Sequence, residues 1–250
     1  MKKSSLKWCV LGLIMACLWS SVALAETSVS GWDPSVSLRS VVADRYVGSS
    51  SGGVVYDKPV LQTDLFIAFQ NGIYVDFWNS KSLNSDWENY GNEIDWSLGW
   101  YGLVRGFGLD VGVAYFDEPM GFAFDKQDSW CSHIKVSRDI GLCTVYGSFE
   151  NYAVWHNSGT TGGNVYTIGA SKNMEVNKLL SIKSSASTAY DGGPYGRETG
   201  FLLHTGAELD WKVSEKLTLV IPEVKLHVPL TVDDARETEA VVYAGFSYQF

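Results

Sequence analysis

The chain has 250 residues, with 28 acidic and 19 basic side chains and a 14% share of aromatic residues. This acidic balance lacks the basic surface that phosphate backbones require, so we expect no nucleic-acid partner. The length suits one domain. No run of 18 or more apolar residues follows the N-terminal 25 residues, which excludes a spanning helix there.

The N-terminus has the three parts of a secretory signal. Lysines 2, 3 and 7 precede a short apolar run from Trp8 to Leu18, and Ala23-Leu24-Ala25 before Glu26 fits a cleavage site. We therefore predict a cleaved signal at 1–25 and a single barrel domain at 26–250. Removing three lysines leaves 16 bases against 28 acids. Cleavage of a lipoprotein type before Cys17 is the competing interpretation.

Alternating segments of about ten residues recur along the mature chain, which is typical of a transmembrane β-barrel. Outward rows of apolar side chains include Leu61 to Phe69, Ile94 to Trp100 and Leu109 to Tyr115, each taken at every second residue. Polar or small residues occupy the other parity, because strand side chains alternate between faces. The fold predicted is all-β, an antiparallel transmembrane barrel.

The connectors alternate between short and long, as in barrels with short periplasmic turns and longer extracellular loops. The short turns are predicted at 70–72, 105–108, 139–141, 176–177 and 214–215. The long loops are predicted at 48–58, 81–92, 118–129, 157–163, 191–199 and 231–237. This alternation implies twelve strands, with both termini on the periplasmic side.

One strand changes parity at Pro222. Leu217, Leu219 and Ile221 lie on one parity, and Val224, Leu226 and Val228 on the other. Because proline inside a sheet is confined to edges and bulges, we predict a bulge that turns Glu223, Lys225 and His227 inward.

The last strand, Glu239 to Phe250, has one apolar and aromatic face that ends on the terminal phenylalanine. It resembles the C-terminal signal strand of bacterial outer-membrane barrels. The last strand of a soluble sandwich or lipocalin-like barrel is the alternative, and the export signal argues against it.

Two cysteines remain after cleavage, Cys131 and Cys143. An oxidising periplasm favours a disulfide. The opposite parity of the two residues and their offset register favour two free thiols, because a bond needs Cα atoms within about 7 Å.

Several segments resemble a family of bacterial porin-like proteins, the TorF-type or Gcw-chp group. The likeness covers about residues 35–117 and lies in the order and spacing of its segments. Those segments are Asp44-Arg45-Tyr46-Val47, Lys58-Pro59-Val60-Leu61-Gln62, the run 71–78, Asn92-Glu93-Ile94-Asp95 and the run 108–112. The resemblance implies an outer-membrane barrel and little established chemistry beyond it.

The inward parity carries more acids than bases, and charged linings set the ion preference of a pore. The predicted pore-lining residues are Arg39, Asp64, Asp76, Glu93, Asp95, Asp110, Glu150, Lys183, His204, Glu208, Asp210, Glu223, Lys225 and His227. The alternative is a closed lumen in which acids and bases neutralise each other, and Lys135 is a further inward base.

We therefore predict a porin-like passive channel for small cationic or neutral solutes, exported to the bacterial outer membrane. No catalytic residue, metal or cofactor is predicted. The expected partners are outer-membrane lipid, lipopolysaccharide and the barrel-assembly machinery; the oligomeric state is open. The alternatives are a non-conducting structural barrel and a barrel lipid hydrolase, for which the loop residues His156-Asn157-Ser158 are the candidates.

Overall fold

A computed structural model describes residues 34–48, 51–84, 91–117, 128–154, 162–197, 199–231 and 236–250. The signal segment and His156-Asn157-Ser158 lie outside these ranges. No helix in the described ranges is both long and apolar enough to cross a membrane.

The described residues form fourteen strands, most of them nine to thirteen residues long. The strands are β1 (Ser35–Ala43), β2 (Tyr46–Val47), β3 (Val54–Tyr56), β4 (Val60–Ala68), β5 (Ile73–Ser82), β6 (Glu93–Val104), β7 (Phe107–Asp117), β8 (Ser129–Asp139), β9 (Thr144–Val154), β10 (Gly163–Glu175), β11 (Leu180–Asp191), β12 (Gly200–Lys212), β13 (Leu217–Pro229) and β14 (Glu239–Gln249).

Twelve of these strands, β1 and β4 to β14, close into one antiparallel barrel in which each strand pairs with its neighbour in the chain. Closure comes from β1, which pairs with β14 on one side and with β4 on the other. A closed sheet leaves no edge, so the backbone of every strand finds its partners within the sheet. The predicted barrel of twelve strands is confirmed.

Both described chain ends lie at the end of the barrel that carries the short turns. Ser37 pairs with Gln249 there, and Phe69 N donates to Ile73 O across the first turn. The long connections all leave the opposite end. The predicted alternation of short and long connectors is therefore confirmed.

The turn predicted at 105–108 is shorter in the structure. Only Arg105 and Gly106 lie between β6 and β7, and both have positive φ, 53° and 81°. Two such residues match the right-handed twist of the flanking strands. Phe107 and Gly108 already pair with Val104 and Leu103.

The predicted parity also holds on the outside of the barrel. Side chains of Val113, Ile134, Val242 and Phe246 are exposed on the outer surface. An apolar outer face is what a bilayer requires of a barrel.

The bulge predicted at Pro222 is confirmed as a register shift in β13. Val220 pairs with Gly245 and Glu223 with Tyr243, so one extra residue lies on the β13 side. The same shift occurs against β12, where Glu208 pairs with Glu223 and Asp210 with Val220. This extra residue changes the parity, and Glu223 and His227 turn into the barrel.

Cys131 and Cys143 are both free. Cys131 lies near the loop end of β8, facing Tyr152 of β9, whereas Cys143 lies in the turn that follows β8. The preference for two free thiols is confirmed, because the length of a strand separates them.

Candidate functional site: the barrel lumen and its inner hairpin

The connection from β1 to β4 does not stay outside the barrel, as the prediction of a long loop at 48–58 implies. It folds into the small hairpin β2–β3, and this inner hairpin (residues 44–48 and 51–59) packs inside the loop end of the lumen. Val47 is buried against Val41, Val60 and Val241 of the barrel wall. The expectation of a solvated extracellular loop is wrong here, because the apolar residues of the hairpin find a buried surface within the barrel.

Tyr46 anchors the hairpin near its start. Its ring lies 5.7 Å from that of Trp78, and its hydroxyl donates to Glu93 Oε2 at 2.5 Å. Glu93 is only 3% exposed as a result. This predicted pore-lining residue faces the interior, but the hairpin covers it.

The tip of the hairpin rests on two histidines. Gly52 has a φ of 62°, and a Cβ there would lie 3.1 Å from the Cβ of His227. His204 and His227 pair across β12 and β13, with their Nδ1 atoms 2.6 Å apart. Glycine is thus favoured at 52 both by the backbone conformation and by the close approach.

A buried ion pair between Arg236 and Asp191 holds the tip of the hairpin from the loop side of the barrel. Arg236 donates to Ser51 O at 3.3 Å and to Asp191 Oδ2 at 2.8 Å. Asp191 has no exposed surface and lies 3.6 Å from Arg197 as well. The hairpin is therefore held by contacts from several strands and narrows the lumen.

Below the hairpin, six charged residues form what we call the balanced wall: Arg39 of β1, Lys183 of β11, Glu208 and Asp210 of β12, and Glu223 and Lys225 of β13. Arg39 Nη2 lies 2.8 Å from Glu208 and 2.5 Å from Glu223. Lys183 reaches Glu208 at 2.6 Å and Asp210 at 2.7 Å, and Lys225 reaches Glu223 at 3.1 Å. Three bases thus neutralise three acids.

The other predicted acids form what we call the acidic wall: Asp64 of β4, Asp76 of β5, Asp95 of β6 and Asp110 of β7. Asp64 and Asp76 lie on the neighbouring strands β4 and β5, where Asp64 pairs with Trp78 and Asp76 with Phe66. Neither of these two forms an ion pair with a base in the described part of the chain. Arg39 faces Asp64 across β1 and β4, yet its guanidinium turns to Glu208 and Glu223.

Asp110 is bound by neutral or weakly basic groups. Tyr74 Oη donates to its Oδ1 at 2.9 Å, and His133 Nε2 lies 3.2 Å from the same atom. The Tyr74 ring lies directly over Gly99, and a Cβ at position 99 would overlap it. Gly99 therefore leaves room for Tyr74, whose role the sequence pattern did not indicate.

A cavity of about 340 Å³ lies between the two walls, below the hairpin. Predicted residues that line it are Glu150, His204, Lys225 and His227. Val47 of the hairpin closes its loop side, and Lys135 and His133 lie on β8 at its side. The predicted pore-lining residues therefore have different surroundings: the hairpin covers Glu93, the balanced wall holds six of them in ion pairs, and four line this cavity.

Serine and threonine side chains of β9, β10 and β11 form the remaining side of this cavity, and the sequence analysis missed them. Small hydroxyl residues recur there at every second position, as in Ser185-Ala186-Ser187-Thr188. That alternation was the sequence signal available for these residues. Because the residues are uncharged, the pattern indicates a strand but does not indicate a binding surface. In the described ranges, no group of three or more His, Cys, Asp or Glu side chains is arranged to hold a metal ion.

A closed antiparallel barrel with an apolar outer face and a polar, charged interior is the architecture of outer-membrane barrels. Solved porins share this fold. The KdgM porin matches with a TM-score of 0.53 and 11% identity over 86% of this chain and 99% of that one. The NanC porin matches with a TM-score of 0.52 and 12% identity over 86% and 100%.

The chain belongs to the family described as bacterial protein of unknown function (Gcw_chp), whose model matches residues 26–218. This confirms the family resemblance and extends it well beyond residue 117. No curated protein matches the sequence.

Proposed function

We propose that this barrel is a passive outer-membrane channel for small solutes, with a preference for cationic or neutral ones. The observation that carries the proposal is the acidic wall, where Asp64 and Asp76 lie side by side without an ion-paired base. Carboxylates that line a water-filled pore raise the local cation concentration and repel anions.

The balanced wall has no net charge, and this supports the same preference for cationic or neutral solutes. Because Arg39, Lys183 and Lys225 are paired with Glu208, Asp210 and Glu223, they offer little positive field to attract anions. The acidic wall is then the dominant charge along the path. In the strand order of the barrel, β4 to β7 lie across the lumen from β10 to β13.

The inner hairpin supports a channel for small solutes rather than a wide pore. A hairpin packed in the lumen reduces the open cross-section on the loop side, where Val47 and Gly52 meet the barrel wall. A solved complex of the KdgM porin contains disordered oligogalacturonate. That a barrel of this fold admits a saccharide supports solute passage here.

The location and biogenesis belong to the same proposal. We propose export through the signal at 1–25, with a mature chain that begins at Glu26. The barrel-assembly machinery would insert the barrel among outer-membrane lipid and lipopolysaccharide. The exposed terminal Phe250 is the residue it would recognise.

Ion selectivity tests the function. Purified protein in planar bilayers under a KCl gradient should give a reversal potential of cation-selective sign, weaker at high salt because charges are screened. Replacing Asp64, Asp76, Asp95 and Asp110 with asparagine should reduce this preference and leave the barrel folded. Glu215→Gln, in an exposed turn, is the matched control and should change little.

A non-conducting structural barrel is the second candidate, favoured by the hairpin and by the ion pairs of the balanced wall. Single-channel recording separates the two, because folded protein without conductance would reject the channel. An anion-selective reversal potential would instead reject the acidic-wall argument alone.

A further inference from the structure

We propose that the cavity beneath the inner hairpin is a binding site for a neutral polyhydroxylated solute of monosaccharide size. The volume of about 340 Å³ lies at the lower end of small-molecule sites, which start near 300 Å³. This inference deepens the proposed channel function, on which its role in transport rests.

Four hydroxyl groups from three adjacent strands face the cavity. Ser148 of β9, Thr167 of β10, and Ser185 and Ser187 of β11 line it from adjacent strands. Register pairs Thr167 with both Ser148 and Ala189, and Ser187 with His204, so these side chains share the inner face. Their hydroxyls form no side-chain hydrogen bond to any described residue.

The charge of the cavity is locally compensated. The charged side chains that line it are Lys135, Lys225 and Glu150. Lys225 lies 3.1 Å from Glu223, which leaves one base, Lys135, and one acid, Glu150, whose carboxylate accepts a hydrogen bond from Tyr152 Oη at 2.8 Å. With no surplus of either sign, the cavity favours an uncharged solute, because an ion would lose hydration without a net counter-charge.

The cavity is enclosed on its loop side. Val47 of the hairpin lines it, and His204 and His227 lie between it and Gly52. His227 is 5% exposed, so its ring is fixed by packing, and its imidazole adds a hydrogen-bonding group at the edge of the hydroxyl surface. A solute there is surrounded by hydroxyl, imidazole and amine groups that suit a sugar hydroxyl.

Binding can be measured without conductance, so the test uses detergent-solubilised, folded full-length mature protein and isothermal titration calorimetry. The probes are D-glucose, D-glucuronate and D-glucosamine hydrochloride, which share the pyranose ring and differ chiefly in charge. We expect saturable binding of glucose that is stronger than that of the two charged probes. Absent glucose binding, or preferred binding of glucuronate or glucosamine, would overturn the inference.

A matched pair of substitutions locates the site. Thr167→Val with Ser187→Ala removes two inward hydroxyls at nearly constant volume and should weaken glucose binding about tenfold, as expected for two lost hydrogen bonds of roughly 0.7 kcal/mol each. Thr188→Val makes the same change on the outer face of β11 and should leave binding unchanged. Equal effects of the two variants would overturn the assignment.

Thr167→Val and Ser187→Ala are also measured singly, so that misfolding of the double variant leaves the test intact. Heat-modifiability on gels checks that each variant is folded. Conductance without glucose binding would reject this site and keep the channel. Glucose binding without conductance would reject the channel and keep the site.

Discussion

The two charged walls of the lumen both carry acidic side chains on the inward parity, and yet they differ in their electrostatics. In the balanced wall, long basic side chains reach across neighbouring strands and neutralise Glu208, Asp210 and Glu223. In the acidic wall, Asp64 and Asp76 lie on neighbouring strands, and the Arg39 guanidinium turns away from them to Glu208. The charge of a barrel lumen therefore depends on where its long side chains end, as well as on which residues point inward.

The largest effect should come from placing a basic residue on the lipid face of β6 rather than on its lumen face. Leu98→Arg puts a cation on the lipid face and should cost about 2–4 kcal/mol of unfolding free energy in lipid. Ser97→Arg, one residue away, faces Asp76 across β5 and β6 and should fold nearly as the wild type does. Urea titration in lipid vesicles measures both.

The same Ser97→Arg variant should make the acidic wall resemble the balanced wall. Its guanidinium can pair with Asp76, so the cation preference should fall towards neutrality. If Ser97→Arg were as destabilising as Leu98→Arg, the assignment of the two faces of β6 would be incorrect.

A smaller effect should follow from removing the central base of the balanced wall. Arg39→Met leaves Glu208 to Lys183 and Glu223 to Lys225, and we expect a loss of about 1–3 kcal/mol, since part of the compensation remains. The cation preference should rise, because the wall gains net negative charge. Denaturant midpoints and reversal potentials report the two effects.

Arg39→Met combined with Glu223→Gln is the control for this experiment. Removing the acid together with the base should recover part of the stability and return the ion preference towards the wild type. An Arg39→Met protein with unchanged stability and selectivity would contradict the role given to this ion pair.

The smallest effect should come from a substitution in the inner hairpin, which lies between the two walls and the loop end of the barrel. Tyr46→Phe removes the hydrogen bond to Glu93 and keeps the ring contact with Trp78, so we expect a loss of roughly 1 kcal/mol. A less firmly anchored hairpin should also raise the mean conductance. Tyr101→Phe, at an exposed tyrosine near the opposite end of the barrel, is the control.

If the Tyr46→Phe variant conducted less than the wild type, the interpretation of the hairpin as a constriction would be wrong. Replacing the segment from Gly48 to Val54 with two glycines extends the test, because it removes the tip that rests on His204 and His227. That variant should conduct more than Tyr46→Phe does.

The sequence predicted most of the barrel because its signals are local. Period-2 alternation gives the strands, short runs of turn residues give the short connections, and Pro222 gives the parity change and so the inward direction of Glu223 and His227. The separation of Cys131 from Cys143 followed from the same parity and register. Each of these inferences needs only a few neighbouring residues.

The hairpin and the pairing of charges could not be predicted in the same way, because they depend on contacts far apart in the chain. Arg39 binds Glu223 across 184 positions, and Tyr46 binds Glu93 across 47. Parity placed both walls inside the barrel but could not tell them apart. Only closure of the barrel brings β1 within reach of β12 and β13.

The sequence by itself determined the number of strands, their faces and the side of the barrel on which the connections lie, because backbone geometry imposes those features strand by strand. The tertiary structure alone decided that residues 44–48 and 51–59 enter the lumen, that Arg39 compensates Glu208 and Glu223 rather than Asp64, and that hydroxyls of β9 to β11 line a cavity. The physical reason is that side chains inside a closed barrel choose among partners on every strand around it, and that choice depends on distance in space.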